Sequence, residues 1–500
     1  MVSTFVPSEE CALVSCVSNK AIDSIAEKFA ERLPFIVVGR EERVGTTARQ
    51  WTLEAQINRN PDVVAWVNTK TEFLDASKRL ELVKDDSVEY QEKEATKILD
   101  NFESSAHSTI RQCGDMTRFR IGGVTSKAYT ALFNLIEECL RFTNEELSKT
   151  KRKVSRLIRR ACRAVLTTID SCGSAVANLD TLDDEEREGA ETKSIADRLS
   201  IAVLDEAGTI PEAKVCVVIA NLRQITRIVA IGDQQQLEPF TNINRRGTAQ
   251  TQGYFHRVAR VIQLPMLNVQ FRMHPQICEL VSKIAYDNEL RTDPDVRIKR
   301  LESSRGPVIS WISYPMQGNQ ESEPEGKASS YINKHEIKLI CDQVNTERSV
   351  LRQQRKNLLI ITFYRGQLQL LREELADSGV LSRDKKSQQP IDPDDGSVRV
   401  TTVDSAQGSE ADVVILSMVR SNPKCAVGFL ANQNRAVVAI SRAKDKLIIV
   451  GNEETVAARG LWRRVLNEAN ASGGSGRSIT TGKGGKGKGK GKDKGKGKSK

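Results

Sequence analysis

Ile201-Ala202-Val203-Leu204-Asp205-Glu206-Ala207-Gly208 sets the fold class. Four apolar residues in succession, with no polar alternation, read as a strand covered on both faces, and two acids then lead it into a glycine turn. A second apolar run, Ile228-Val229-Ala230-Ile231, ends in the same manner at Gly232-Asp233-Gln234-Gln235-Gln236-Leu237. Parallel strands that deliver acids and amides at their carboxyl ends are how nucleoside triphosphatases hold magnesium and sense a phosphate. The glycine-rich phosphate cradle G-x-x-x-x-G-K-[ST] does not occur in the sequence. Gly497-Lys498-Ser499 approaches it, but Lys492 stands where the first glycine belongs.

On the amino-terminal side of these runs, residues 11–17 read as a strand that turns polar at Ser18-Asn19. Ala21, Ile22, Ile25, Ala26 and Phe29 come next at helical spacing, and residues 34–38 form a second strand. From about 69 to 162 the pattern becomes long and charge-laced, with helices expected over 80–99 and 128–164, so this segment reads as a helical insertion. Its basic stretch, Lys149-Thr150-Lys151-Arg152-Lys153 with Arg156, Arg159 and Arg160, is either a phosphate-contacting face or a solvated helix surface. The strand pattern resumes at 164–168, and a linker containing Asn242, Asn244, Arg245, Arg246 and Gly247 closes a first domain over 1–250. A second domain over 251–468 carries strand candidates at 308–312, 358–362, 398–403, 413–416 and 447–450, with surface loops at 317–329 and 382–395. The expectation is an α/β protein of two doubly wound parallel sheets. Residues 469–500, rich in Gly and Lys, cannot bury a core and read as a disordered basic tail.

Five hundred residues, 39% hydrophobic and 28% charged, allow two or three domains with full cores. The net charge of +10 is concentrated. Residues 471–500 hold nine lysines and Arg477 against Asp493, so the rest of the chain is almost neutral. No apolar stretch approaches the roughly 18 residues of a membrane span, and the first twelve residues, with Glu9 and Glu10, do not read as a secretory signal. An intracellular protein, nuclear or cytoplasmic and without a membrane partner, is expected. Ten dispersed cysteines and four histidines point to reduced thiols rather than zinc or a disulfide framework.

Three further blocks carry chemistry. Gln270-Phe271-Arg272-Met273-His274-Pro275 sets an arginine beside an aromatic and a proline, although a helix start with a buried Phe would read the same way. Thr402-Val403-Asp404-Ser405-Ala406-Gln407-Gly408-Ser409-Glu410 leaves a strand through a glycine turn. Ala439-Ile440-Ser441-Arg442-Ala443-Lys444 puts Arg442 between an apolar helix and a strand, where an arginine can reach a transferring phosphate.

In this order the blocks resemble the superfamily 1 RNA and DNA helicases, in the branch containing the nonsense-mediated-decay helicase, senataxin and the NFX-type zinc-finger helicases. The resemblance covers residues 11–455 and implies two RecA-like domains. It implies magnesium at Asp205, water activation by Glu206, a phosphate sensor at Asp233 and Gln236, and Arg272 and Arg442 at the terminal phosphate of ATP. It further implies that Phe271 stacks on a base, that Gln407, Gly408 and Glu410 couple nucleotide to nucleic acid with Glu410 at the ribose, and that Ser18, Asn19, Asp404 and Ser405 meet nucleic acid. ATP and Mg would be the cofactors and single-stranded RNA or DNA the partner, with 5′-to-3′ travel. Two departures stand out. Asn434-Arg435-Ala436-Val437 replaces the usual two arginines and an asparagine, which puts in question how that helix couples to its neighbours. Only 17 residues precede Ser18, fewer than the family's phosphate loop requires. The expectation is therefore a helicase or translocase lacking its amino-terminal portion; the alternative is a helicase-fold module that binds RNA without turnover.

Overall fold

The structure, a computed structural model, describes residues 6–473 apart from 8, 40–43, 85, 101–103, 114–125, 175–193, 222–223, 240–252, 304–305, 324–329, 394–396, 459 and 472. The expected linker at 242–247 and residues 474–500 of the tail lie outside these. The chain divides into two compact units, Met1–Asp233 with Pro239–Val261, and Gln234–Glu238 with Ile262–Lys500.

The first unit is built on a five-stranded parallel sheet. Its strands are β1 (Cys11–Cys16), β2 (Phe35–Val38), β3 (Ala164–Thr168), β4 (Leu199–Leu204) and β5 (Arg227–Ala230), in the order β2-β3-β1-β4-β5. Helix α1 (Asn19–Phe29) succeeds β1 and buries Ile22 and Ala26. Between β2 and β3 stands the helical insertion, whose main helices are α2 (Pro61–Leu82), α3 (Val88–Asp100), α4 (Ser104–Cys113) and α5 (Ser126–Ala161). The insertion has its own core, in which Phe73 and Leu80 of α2 meet Ile98 of α3, Ile110 of α4 and Leu132 and Ile136 of α5.

Two helices differ from the expectation. The helix expected over 80–99 is two helices, because Ser87 starts a new one: its hydroxyl accepts from the Tyr90 amide at 3.4 Å and its carbonyl from Gln91. The helix expected over 128–164 ends at Ala161, where Arg198 donates to the carbonyls of Arg159, Arg160 and Cys162. A cation at the carboxyl end satisfies carbonyls that have no partner within the helix.

The second unit holds another five-stranded parallel sheet. Its strands are β6 (Ile309–Ile312), β7 (Leu358–Thr362), β8 (Val398–Thr402), β9 (Ala411–Ser417) and β10 (Ala443–Val450), in the order β8-β7-β9-β10-β6. Alternate residues feed two cores. Leu359, Ile361, Val414, Leu416, Leu447 and Ile449 face one, while Leu358, Ile360, Val413, Ile415, Ile448 and Val450 face the other. Covering both faces is what makes these strands continuous apolar runs. Helices α6 (Pro275–Ala285), α7 (Lys334–Gln354), α8 (Arg365–Asp377), α9 (Gln433–Ile440) and α10 (Gly460–Ala471) belong to the same unit. Residues 382–395, expected as plain loop, contain a short antiparallel pair, Ser382–Arg383 with Pro390–Ile391. Residues 469–471, expected in the tail, finish α10, with Ala469 fully buried.

Candidate functional site

In the first unit the expected residues gather beyond the carboxyl ends of β1, β4 and β5, the edge at which parallel sheets bind ligands. Ser18 caps α1, its hydroxyl accepting from the Ala21 amide at 3.2 Å, and Asn19 opens that helix. Asp205 comes directly after β4, and its amide donates to the Ser15 carbonyl at 2.9 Å. Burial raises its carboxyl above the usual range, partly countered by the Glu206 amide and Lys28. The neighbouring Cys16 thiol is pushed up to about 12, by burial first and by the charges of Asp205 and Glu206 as well. Glu206 has left-handed backbone, φ 54° and ψ 39°.

Two glycines let the strand-end loops touch. A Cβ on Gly208 would lie 2.8 Å from the Asp233 carbonyl oxygen, and one on Gly232 would lie 2.7 Å from the Gly208 nitrogen. A half-buried carboxylate at such an edge fits magnesium, which takes one or two protein carboxylates and fills its octahedron with water and phosphate oxygens.

In the second unit, four expected residues from separate blocks form one connected polar cluster. Arg272 Nε donates to Glu410 Oε2 at 2.6 Å, and Nη1 donates to the Ser441 carbonyl at 3.3 Å. Lys444 Nζ stands 2.7 Å from Glu410 Oε1. Arg442, buried, donates from Nη2 to Ser441 Oγ at 2.8 Å and to Gln236 Oε1 at 3.2 Å. Burial would raise the Glu410 carboxyl, but hydrogen bonds from Lys444 and Arg272 outweigh it and hold the pKa at about 2. Gln270 fixes the approach of Arg272, its Oε1 accepting from the Arg272 and Met273 amides at 2.7 and 2.6 Å. Phe271 is 68% exposed, which corrects the buried-Phe reading; the helix starts instead at Pro275 with His274 as its cap.

The loop from β8 to β9 starts elsewhere. Asp404 and Ser405 line an open cleft of about 480 Å³ with Tyr364, Arg365, Phe429 and Arg435. The Tyr364 and Phe429 rings lie 5.5 Å apart between centroids. The Arg435 guanidinium sits 5.0 Å over Phe429 and donates to Asp404 Oδ1 at 3.0 Å. The loop then passes Gln407 and Gly408, the latter at φ +72°, to reach Glu410 at the amino end of β9. Helix α9 makes the same traverse, from Arg435 to the cluster of Ser441 and Arg442. At the departure in this helix, Val437 is buried in the core, and Asn434 donates to the Gln234 and Gln236 carbonyls.

Sequence reasoning missed Tyr364, Arg365, Phe429 and the pairing role of Arg435. Phe363-Tyr364-Arg365 directly after β7 was an available signal, an aromatic pair and a cation at a strand's carboxyl end. It also missed the buried Glu336. Both its oxygens accept from the Val419 amide, Oε1 also from Ser417 Oγ at 2.8 Å and Oε2 from the Tyr314 hydroxyl at 3.1 Å. Burial raises its pKa to about 7 against these bonds.

Family models described as AAA domain match residues 3–242 and 251–454. The ATP-dependent helicase NAM7 of Saccharomyces cerevisiae is 28% identical over 287 residues, 56% of this chain and 28% of that protein. The probable helicase senataxin of Homo sapiens is 30% identical over 296 residues, 55% of this chain and 10% of that protein. The NFX1-type zinc finger-containing protein 1 of Mus musculus is 31% identical over 286 residues, 56% of this chain and 14% of that protein. The matched region thus spans between about a tenth and little more than a quarter of the length of these three relatives.

Proposed function

Because the chain belongs to the superfamily 1 helicases, in the branch of the nonsense-mediated-decay helicase, we propose that it couples ATP hydrolysis to movement along single-stranded RNA or DNA. The observation that carries this reading is the connected cluster of Gln236, Arg272, Glu410 and Arg442. Two guanidinium groups held beside an amide and an ionised carboxylate form a preorganised receptor for a polyphosphate, because their orientation is fixed before any ligand arrives.

In this reading Asp205 would hold magnesium, which neutralises phosphate charge when bound. Glu206 accepts a proton from the attacking water, and Asp233 and Gln236 register the terminal phosphate. Arg272 and Arg442 stabilise charge that develops on that phosphate, and Glu410 holds Arg272 in place. Ser18, Asn19, Asp404 and Ser405 meet nucleic acid, with Tyr364 and Phe429 offering ring faces for bases. The α9 helix and the loop carrying Gln407 and Gly408 connect the two activities mechanically. The domain boundaries near residue 250 and residue 468 belong to this proposal.

A second reading, nucleic-acid binding without turnover, is favoured by the absence of G-x-x-x-x-G-K-[ST] from these 500 residues. That loop supplies a backbone N–H cradle and a lysine at the phosphates. On that second reading phosphate release is expected near background, and robust RNA-stimulated release would overturn it. The two readings separate in affinity for oligouridylate with and without a saturating non-hydrolysable ATP analogue. A coupled motor shifts its affinity with the analogue and loses the shift in Arg442→Gln. A wild-type chain with no shift is a binding module.

A further inference from the structure

The insertion helix α5 carries a basic stripe that the nucleotide and cleft residues leave unused. Lys149, Arg152, Lys153, Arg156 and Arg160 are all exposed, and at 3.6 residues per turn they fall within about 100° of arc. They cover about 16 Å of helix, close to the length of five nucleotides of a stacked strand at about 3.4 Å each. No Asp or Glu occurs on α5 from residue 147 to its end. Lys149 is paired to Glu146 at 2.7 Å, the last acid before the stripe.

The stripe adjoins a cleft of about 300 Å³ between α5 and α2, lined by Asn60, Asp62, Trp66, Thr150, Lys153 and Leu157. Trp66 is half-buried, its ring packed edge-on against Phe142 at 6.3 Å, and Leu157 is 59% exposed. An indole and a leucine beside a row of cations offer apolar surface where a phosphate chain would run. Single-stranded nucleic acid needs both, cations for its backbone and an apolar or aromatic face for a base. An acidic peptide would use the cations alone.

We propose that the α5 stripe and the Trp66 cleft form a second binding surface for single-stranded nucleic acid, separate from the Tyr364–Phe429 cleft. Arg152, Lys153, Arg156 and Arg160 contact successive phosphates, and Trp66 with Leu157 receives a base. This rests on the reading of the chain as a nucleic-acid-binding protein.

The test is fluorescence anisotropy of fluorescein-labelled oligouridylate and oligothymidylate with the full chain across a salt series. Each phosphate contact to a single strand contributes about 0.7 to the slope of log K against log salt. Lys153→Gln with Arg156→Gln and Arg160→Gln should make that slope shallower by about 2, whereas Lys153→Arg with Arg156→Lys and Arg160→Lys should keep it. Trp66→Leu should weaken binding roughly tenfold with the slope unchanged. Loss on both probes supports backbone recognition, and loss on oligouridylate alone narrows the surface to RNA. A wild-type slope in the glutamine variant overturns the proposal. If Tyr364→Ala with Phe429→Ala still weakens binding in that case, the functional reading stands without this surface; a wild-type chain that binds neither probe overturns both.

Discussion

Glu410 makes the second-unit cluster sensitive to acid. Its carboxyl is held at about 2 against an ordinary 4.5, so the unfolded chain binds the proton more readily than the folded one. The stabilisation is complete above about 4.5 and is lost as pH falls through about 2. Because the side chain is 42% exposed, solvent screens the pairs and the effect is expected to be small. Urea midpoints for wild type and Glu410→Gln should differ at neutral pH and converge as pH is lowered across that window; a constant gap would show that the ion pairs do not contribute. Glu336 runs the opposite way. Its folded pKa is raised from 4.5 to about 7, so its contribution is complete below 4.5 and lost as pH rises through 7. Glu336→Leu would strand the Val419 amide, at a cost of roughly 1–3 kcal/mol, while the Ser417 and Tyr314 hydroxyls lose an acceptor but keep Gln367 and Asn333 as donors. Thermal denaturation should show a loss of at least about 1 kcal/mol.

At the level of secondary-structure elements, the strand-end loops depend on glycine. Gly208→Ala and Gly232→Ala each drive a methyl group into backbone, at 2.8 and 2.7 Å. Each is expected to destabilise the first unit by about 1–3 kcal/mol, measurable as a lowered urea midpoint; an unchanged midpoint would mean the loops do not pack as described. These loops were legible because continuous apolar runs announce buried parallel strands, and the residues directly after such a strand sit at the sheet edge. That logic placed Asp205, Glu206 and Asp233 directly. The same logic, applied after β7, would have reached Tyr364 and Arg365, but not Phe429 and Arg435, which come from segments that follow no such strand directly. The split of the expected 80–99 helix had a signal that went unused: Asp85-Asp86-Ser87 is a helix-start sequence without the Gly or Pro that usually marks a break.

For the molecule as a whole, each unit has its own core, so calorimetric unfolding should deviate from a single two-state transition. One transition with equal calorimetric and van't Hoff enthalpies would contradict that. Charge is the other molecular property. With nine of the ten net positive charges in residues 471–500, removing that segment should make the salt dependence of nucleic-acid binding markedly shallower, by up to about 6 in slope if all nine lysines engage one strand. An unchanged slope would make the tail a solubilising extension.

The left-handed backbone at Glu206 sets folding and chemistry against each other at one position. Asparagine tolerates that conformation better than glutamate does, so Glu206→Asn is expected to melt higher than wild type while removing the carboxylate proposed to take a proton from water. Selection for robustness alone would drift away from glutamate at this site; a laboratory screen for heat tolerance, run without any demand for turnover, should recover asparagine or glycine at position 206.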